Sequence, residues 1–203
     1  MIEAVLFDYG GVIVDAGRRG FNKVRMAEIL EREQDEIREI FLPGGPYWRL
    51  NRGLIEHGEF WGSVELRTGV ALAEDRRAGL WERREIAESQ AEVMELAEEL
   101  RERGIVTGIL SNVVTPVAEF LHAGRHYRGF EPVILSCEVG YAKPDPEIYR
   151  IALEALELPG EEVLFIDDQP ENLEAARELG MEVILAQTGE QIARAARSLL
   201  AKE

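Results

Sequence analysis

Apolar positions along the chain fall into two kinds of pattern. Short unbroken runs rich in β-formers occupy residues 2–7, 105–110, 163–166 and 182–186, with a weaker one at 132–136. Runs of that length and composition predict buried strands of a parallel sheet covered on both faces. Between them, apolar residues recur at helical spacing. Residues 91–103 carry Val93, Met94, Leu96, Ala97 and Leu100 on one stripe, with Gly104 as the stop. Residues 146–156 follow Asp145, a predicted N-cap, with Pro146 in the first helical position. Further helices are predicted over 171–179, closed by Gly180, and over 191–200. Strand alternating with helix implies right-handed crossovers and a three-layer α/β sandwich.

The interval 15–88 breaks this rhythm. It has no strong strand pattern, and helices are predicted at 21–32, 34–41, 58–67 and 74–85, with a Pro/Gly break at 42–46. The chain therefore divides into a discontinuous α/β core, residues 1–14 and 89–203, and an all-helical insertion, residues 15–88, placed directly after the first strand.

Composition narrows the partners. Hydrophobic residues make up 46% of the 203 positions and charged residues 31%, the balance of a folded globular chain and not of a disordered one. No apolar run is long enough to span a bilayer, and the N-terminus lacks a basic start followed by a long apolar stretch, so neither a membrane partner nor a leader is expected. Cys137 is the one cysteine; it permits no internal disulfide and no Cys-rich zinc site, which fits a cytoplasmic protein. The formal net charge of −16 repels phosphate backbones, and no nucleic-acid partner is expected. An anionic substrate must then be held by local cations, dipoles or a metal. Only Lys23, Lys143 and Lys202 are lysines among 23 basic residues, which singles out Lys143 in its Pro-flanked loop.

Chemistry-bearing residues sit where the strands end. The first strand runs into Asp8-Tyr9-Gly10-Gly11, and the second into Ser111-Asn112. The weak strand leads to Lys143-Pro144-Asp145-Pro146, and the fourth strand ends in Asp167-Asp168, with Asn172 after them. The carboxyl ends of parallel strands share one edge, so three carboxylates, a hydroxyl, an amide and a lysine are expected in one hollow. Such carboxylates cannot all stay ionised together without a cation. All-oxygen ligands favour Mg²⁺. Metal plus lysine suits a phosphate, and an ionised Asp beside it can act as a nucleophile on phosphorus.

The four motifs in this order resemble the haloacid dehalogenase-like (HAD) hydrolase superfamily over nearly the whole chain. They are Phe7-Asp8-Tyr9-Gly10-Gly11-Val12-Ile13, Leu110-Ser111-Asn112, Lys143-Pro144, and Phe165-Ile166-Asp167-Asp168-Gln169-Pro170-Glu171-Asn172. Within it, the chain is most similar to bacterial α-D-glucose-1-phosphate phosphatases and, more distantly, to the phosphatase domain of soluble epoxide hydrolases. The resemblance implies a HAD-like Rossmannoid sandwich with a small helical cap, and hydrolysis of a small-molecule phosphate ester. It makes Asp8 the nucleophile and a Mg²⁺ ligand, with the Gly10 carbonyl and Asp168 as further ligands and Asp167 acting directly or through water. Ser111, Asn112 and Lys143 would hold the phosphate, and Asn172 would orient the acidic pair.

One position departs from the usual phosphatase motif, Asp-x-Asp. Gly10 stands where the second Asp would protonate the leaving group, a role typically contributing about 10²–10⁴-fold. Three readings stay open. The substrate has a leaving group stable as an anion, such as a sugar 1-phosphate; another group supplies the proton; or the protein binds and hardly turns over. A metal-independent haloacid dehalogenase is a competitor, disfavoured by the Asp167-Asp168 pair. Other candidates carry bland expectations. Asp15 caps a helix or shapes the hinge, Tyr9 packs, His57 lies at the surface, and His122 and His126 mark a helix end and not a zinc site. Tyr47, Trp48, Arg49 and Arg52 are suited to substrate contact in the cap, but packing explains them equally well.

Overall fold

The computed structural model describes residues 1–14, 23–81 and 89–201. Strand β1 (Ala4–Phe7) is buried at every position. It lies at the centre of a parallel sheet formed with β2 (Val106–Ser111), β3 (Val133–Leu135), β4 (Val163–Asp167) and β5 (Glu182–Leu185), in the order β3-β2-β1-β4-β5. The register aligns Phe7 with Ile109 on one side and Ile166 on the other. The residues that follow, Asp8, the β2 end at Ser111 and the β4 end at Asp167, therefore leave the sheet along one rim.

Among the described residues, five helices precede the second strand's own crossover helix: α1 (Lys23–Leu30), α2 (Arg38–Phe41), α3 (Pro46–Leu50), α4 (His57–Thr68) and α5 (Glu74–Trp81), followed by α6 (Ala91–Glu102). The rest alternate with strands: α7 (Thr115–Ala123), α8 (Ser136–Val139), α9 (Pro146–Leu156), α10 (Pro170–Glu178) and α11 (Gly189–Leu200). The period-2 alternation of β1 sends Val5 and Phe7 to one face, against Leu96 and Leu100 of α6, Leu121 of α7 and Ile192 of α11. Ala4 and Leu6 face Ile148 and Tyr149 of α9 and Leu173 of α10. Burying a side chain such as Phe7 contributes roughly 1.5–3 kcal/mol. The strand is thus fixed from both layers, and with it the position of Asp8.

The inserted helices build a separate apolar cluster from Met26, Leu30, Ile37, Ile40, Leu50, Phe60, Trp61 and Val64, which Val114 of the core joins. A second contact is polar, between Asn51 Oδ1 and the Ser136 hydroxyl at 3.3 Å. The chain leaves and re-enters the core at one place. Val14 and Ser89 form an antiparallel bridge, and Gln90 donates its backbone N–H to the Ile13 carbonyl at 2.8 Å and its side-chain amide to the Val12 carbonyl at 2.9 Å.

Several segments differ from the hydrophobic pattern; the short helices α3 and α8 lie where no helix is expected. Residues 34–37 form turns and not the first half of a helix, closed by three-residue bonds from the Glu36 N–H to the Glu33 carbonyl at 3.1 Å and from the Arg38 N–H to the Asp35 carbonyl at 3.3 Å. Helix α7 has the end expected near His122 but no expected range, although Pro116 in its first turn and Ala118 and Leu121 three apart are its signals. Asp15, Lys202, the ends of the 15–88 interval and the predicted helical residues 21–22 and 82–85 lie outside the described residues.

Candidate active site

Lys143 organises the rim. Its loop leaves α8 through Gly140, in the left-handed region at φ 83°, and turns back by a bond from the Asp145 N–H to the Ala142 carbonyl at 2.8 Å. The Lys143 ammonium is buried and donates to Asp8 Oδ1 at 2.9 Å, Asp167 Oδ2 at 2.6 Å and the Leu110 carbonyl at 2.8 Å. An ammonium has three N–H donors, so every one is committed. Asp167, fully buried, is saturated as well. Its Oδ1 accepts from the Gln169 N–H at 2.7 Å and from Asn172 Nδ2 at 3.0 Å, and the same amide reaches Oδ2 at 3.1 Å. The Tyr149 hydroxyl holds the Asn172 carbonyl at 2.8 Å, and its ring meets Phe165 edge-on.

Asp8 and Asp168 are less committed. Burial pushes the Asp8 carboxyl above the ordinary carboxylate range, with Asp167 adding to the rise; the Lys143 ammonium and a hydrogen bond from Ser111 oppose it. Burial also raises Asp168, helped by Asp167 and opposed by Gln169 and Lys143. Lys143 behaves in the opposite sense. Burial alone would lower its pKa, but Asp8 and Asp167 outweigh that and raise it, so it stays charged. Carboxylate oxygens of Asp8, Asp167 and Asp168 lie within 4.8 Å of one another, and among the described residues one ammonium, that of Lys143, is bonded to the cluster, which leaves these groups short of positive charge. A small divalent cation with oxygen ligands fits that deficit. The chain also makes room for Asp168. At Gly11, with φ at +93°, a Cβ would stand 2.7 Å from the Asp168 carboxyl carbon, so only glycine lets the carboxylate lie against the first loop.

The expected residues are placed unequally. Asp8, Ser111, Lys143, Asp167, Asp168 and Asn172 come together at one rim. Asn112 sits one step away: its side-chain carbonyl accepts the Lys143 N–H at 2.8 Å and its amide donates to the Lys143 carbonyl at 2.8 Å. It holds the backbone that carries the lysine. Gly10 offers only backbone in a loop closed by the bonds Gly11 N–H to Val14 carbonyl and Val14 N–H to Tyr9 carbonyl. Tyr9 packs edge-on against Tyr127. His122 pairs with Glu138 at 2.9 Å and His126 stacks on Phe120. His57 accepts the Trp61 indole N–H at 2.8 Å. The sequence reading missed Tyr149 as the support of Asn172, and the Leu110 carbonyl and Gln169 N–H as partners in the network. Tyr149 looked like one more apolar position of α9. Its hydroxyl within a buried stripe was the available signal, since a buried phenol needs a partner. The two backbone groups carry no sequence signature.

Known proteins resemble this chain. A protein-family model described as haloacid dehalogenase-like hydrolase matches residues 2–180. Bifunctional epoxide hydrolase 2 of Sus scrofa is 48% identical over 56 residues, 28% of this chain; the match spans only 10% of that protein's length. D-ribitol-5-phosphate phosphatase of Bacteroides thetaiotaomicron is 26% identical over 210 residues, covering 93% of this chain and 94% of the relative. A crystal structure of a HAD family enzyme from Bacteroides thetaiotaomicron, in complex with magnesium and inorganic phosphate, superposes with a TM-score of 0.72 at 25% identity, covering 93% of this chain and 96% of the other. No described helix is long and apolar enough to cross a membrane.

Proposed function

This chain belongs to the haloacid dehalogenase-like hydrolase family, and from that membership we propose that it is a magnesium-dependent phosphatase of a small phosphorylated metabolite, acting through an aspartyl-phosphate on Asp8. The observation that carries the reading is the cluster of Asp8, Asp167 and Asp168 around the ammonium of Lys143. Residues 15–88 serve as the cap over that rim. A relative named for a phosphorylated sugar alcohol and a neighbour holding magnesium and phosphate support a phosphorylated sugar or polyol as the substrate.

In this reading Asp8 attacks the phosphorus. An oxygen–phosphorus bond forms to the carboxylate as the bond to the leaving oxygen breaks, and the electron pair departs with the leaving group. Lys143 moves its Asp8-facing N–H onto a phosphoryl oxygen, and the Ser111 hydroxyl supplies a second donor. Asp167, held by Asn172 and Gln169, keeps the lysine aimed. Water then attacks the phosphorus, releasing phosphate and restoring the carboxylate. Magnesium, held by Asp8, Asp168 and the Gly10 carbonyl with Asp167 nearby, would neutralise charge on the phosphoryl group. Gly10 has no proton to give, so the leaving group takes one from water or leaves as a stabilised anion, which favours sugar 1-phosphates.

The tandem Asp167-Asp168 weighs against a metal-independent dehalogenase, which has no use for a second carboxylate there. Gly10 favours one competing reading, a HAD-fold binding or regulatory protein with little turnover. A panel of phosphate esters assayed with and without Mg²⁺ separates the two. The nucleophile is tested with p-nitrophenyl phosphate: Asp8→Asn is expected to lower kcat by at least about 10³-fold. A variant as fast as the parent would end the proposal.

A further inference from the structure

The tripeptide Asn51-Arg52-Gly53, between α3 and α4, is pinned to the core at both ends. Asn51 contacts the Ser136 hydroxyl. Gly53 has φ at +62° and lies so close to the Cys137 carbonyl that an added Cβ would overlap its oxygen. Arg52, held between them, has its guanidinium stacked 3.9 Å from the centre of the Trp48 ring. Burial lowers its pKa, and the negative charge of Asp145 opposes that only in part. Asp145 closes the turn that carries Lys143. The cap thus places a cation at the seam beside α8, the helix from which the Lys143 loop departs.

Among the described residues, the Arg52 guanidinium has no hydrogen bond or ion pair, and the Trp48 indole N–H has no partner. Elsewhere in this acidic chain arginines find carboxylates: Arg49 pairs with Glu59, Arg150 with Glu147 and Arg197 with Glu99. Stacking fixes the plane of the guanidinium and leaves its in-plane N–H groups open. Asp145 engages one oxygen, Oδ1, in capping the Glu147 N–H at 3.1 Å, and its other oxygen can still accept. Donors in a fixed fork beside an acceptor suit hydroxyl groups, which need both. A second anion would meet the Asp145 carboxylate and the net charge of −16.

We propose that Arg52, stacked on Trp48 at the seam that Asn51 and Gly53 fasten to the core, forms the subsite for the leaving group and selects a hydroxyl-rich, sugar-like one. This rests on the phosphatase reading above and adds to it the residues that choose the substrate.

The test measures binding, so it does not depend on turnover. The parent is the Asp8→Asn protein with Mg²⁺, titrated calorimetrically with α-D-glucose 1-phosphate and with inorganic phosphate. Adding Arg52→Ala is expected to lower the ratio of the two affinities about tenfold or more, because a site built to bond hydroxyls loses its donors. Arg52→Lys, which loses the planar fork, recovers little of it. Trp48→Phe keeps a ring under the guanidinium but removes the indole N–H, and lowers the ratio by less. An unchanged ratio in Arg52→Ala overturns the subsite, as does a parent that binds glucose 1-phosphate no tighter than phosphate. A parent that binds neither ligand overturns the phosphatase reading and the subsite with it.

Discussion

The sheet rim and the cap seam handle charge in opposite ways. At the rim, the ammonium of Lys143 and the carboxylate of Asp167 have every hydrogen-bonding position filled by protein. At the seam, Arg52 is held in place by stacking and by its two pinned neighbours while its N–H groups stay open. The difference separates two tasks. A nucleophile and its counter-charge must be aimed before the substrate arrives, so their partners belong to the fold. A recognition group needs fixed orientation and unfilled donors. The rim also carries more electrostatic risk than the seam, because its charges are buried.

Breaking the rim should therefore do the most damage. Lys143→Met removes the one cation among three carboxylates. We expect activity to vanish and stability to fall by about 3–5 kcal/mol, the usual result of leaving a buried charge without its partner, read by urea denaturation in EDTA. A loss under about 1 kcal/mol would mean that the rim is better hydrated than its burial implies.

Proton linkage sharpens the contrast on a smaller scale. Asp8 and Asp168 have pKa values raised by burial, so the folded state binds more protons than the unfolded one in the carboxylate range. Their contribution to stability is complete below the ordinary carboxylate pKa and is lost as pH rises through the raised values. The raised lysine acts at the other end: its contribution persists until pH climbs through its folded pKa on the alkaline side. In EDTA, the melting temperature of Asp8→Asn relative to the parent should rise between about pH 4 and pH 7. Mg²⁺ should reverse the order at neutral pH by binding the parent preferentially. A pH-independent difference would show that Asp8 does not titrate abnormally.

The seam should respond most mildly. Gly53→Ala imposes a left-handed backbone on alanine, costing about 1 kcal/mol, and forces the 51–53 segment off the Cys137 carbonyl. The protein should still fold. Its affinity for α-D-glucose 1-phosphate should drop while p-nitrophenyl phosphate is still hydrolysed. Equal losses on both would tie the seam to the chemistry and erase the contrast.

The same two regions were unequally legible in the sequence. The rim was readable because each of its side chains follows an apolar strand, and parallel strands align their ends; Asp8, Ser111, Lys143 and Asp167-Asp168 were placed on one edge from spacing alone. Asn112, expected at the phosphate, braces the backbone of Lys143 through its side chain, a contact that depends on loop path and not on residue type. The inserted helices were legible as helices at 58–67 and less so at 34–41, where three-residue turns occupy 34–37. Arg52 and Trp48 stood out as residue types, but nothing in their spacing showed that Asn51 and Gly53 lock them to the core. Contacts between two separately packed clusters leave no periodicity to read.

The bridge between Val14 and Ser89, with Gln90 fastened to Val12 and Ile13, brings the two crossings of the insertion together at a single doorway. Whatever is spliced in beyond that doorway begins and ends at points already tied, so its length hardly alters the entropy of closing the loop. The sheet with its proposed nucleophile can then act as a fixed socket, and different helical modules can be plugged into it over evolution without retuning the acidic rim.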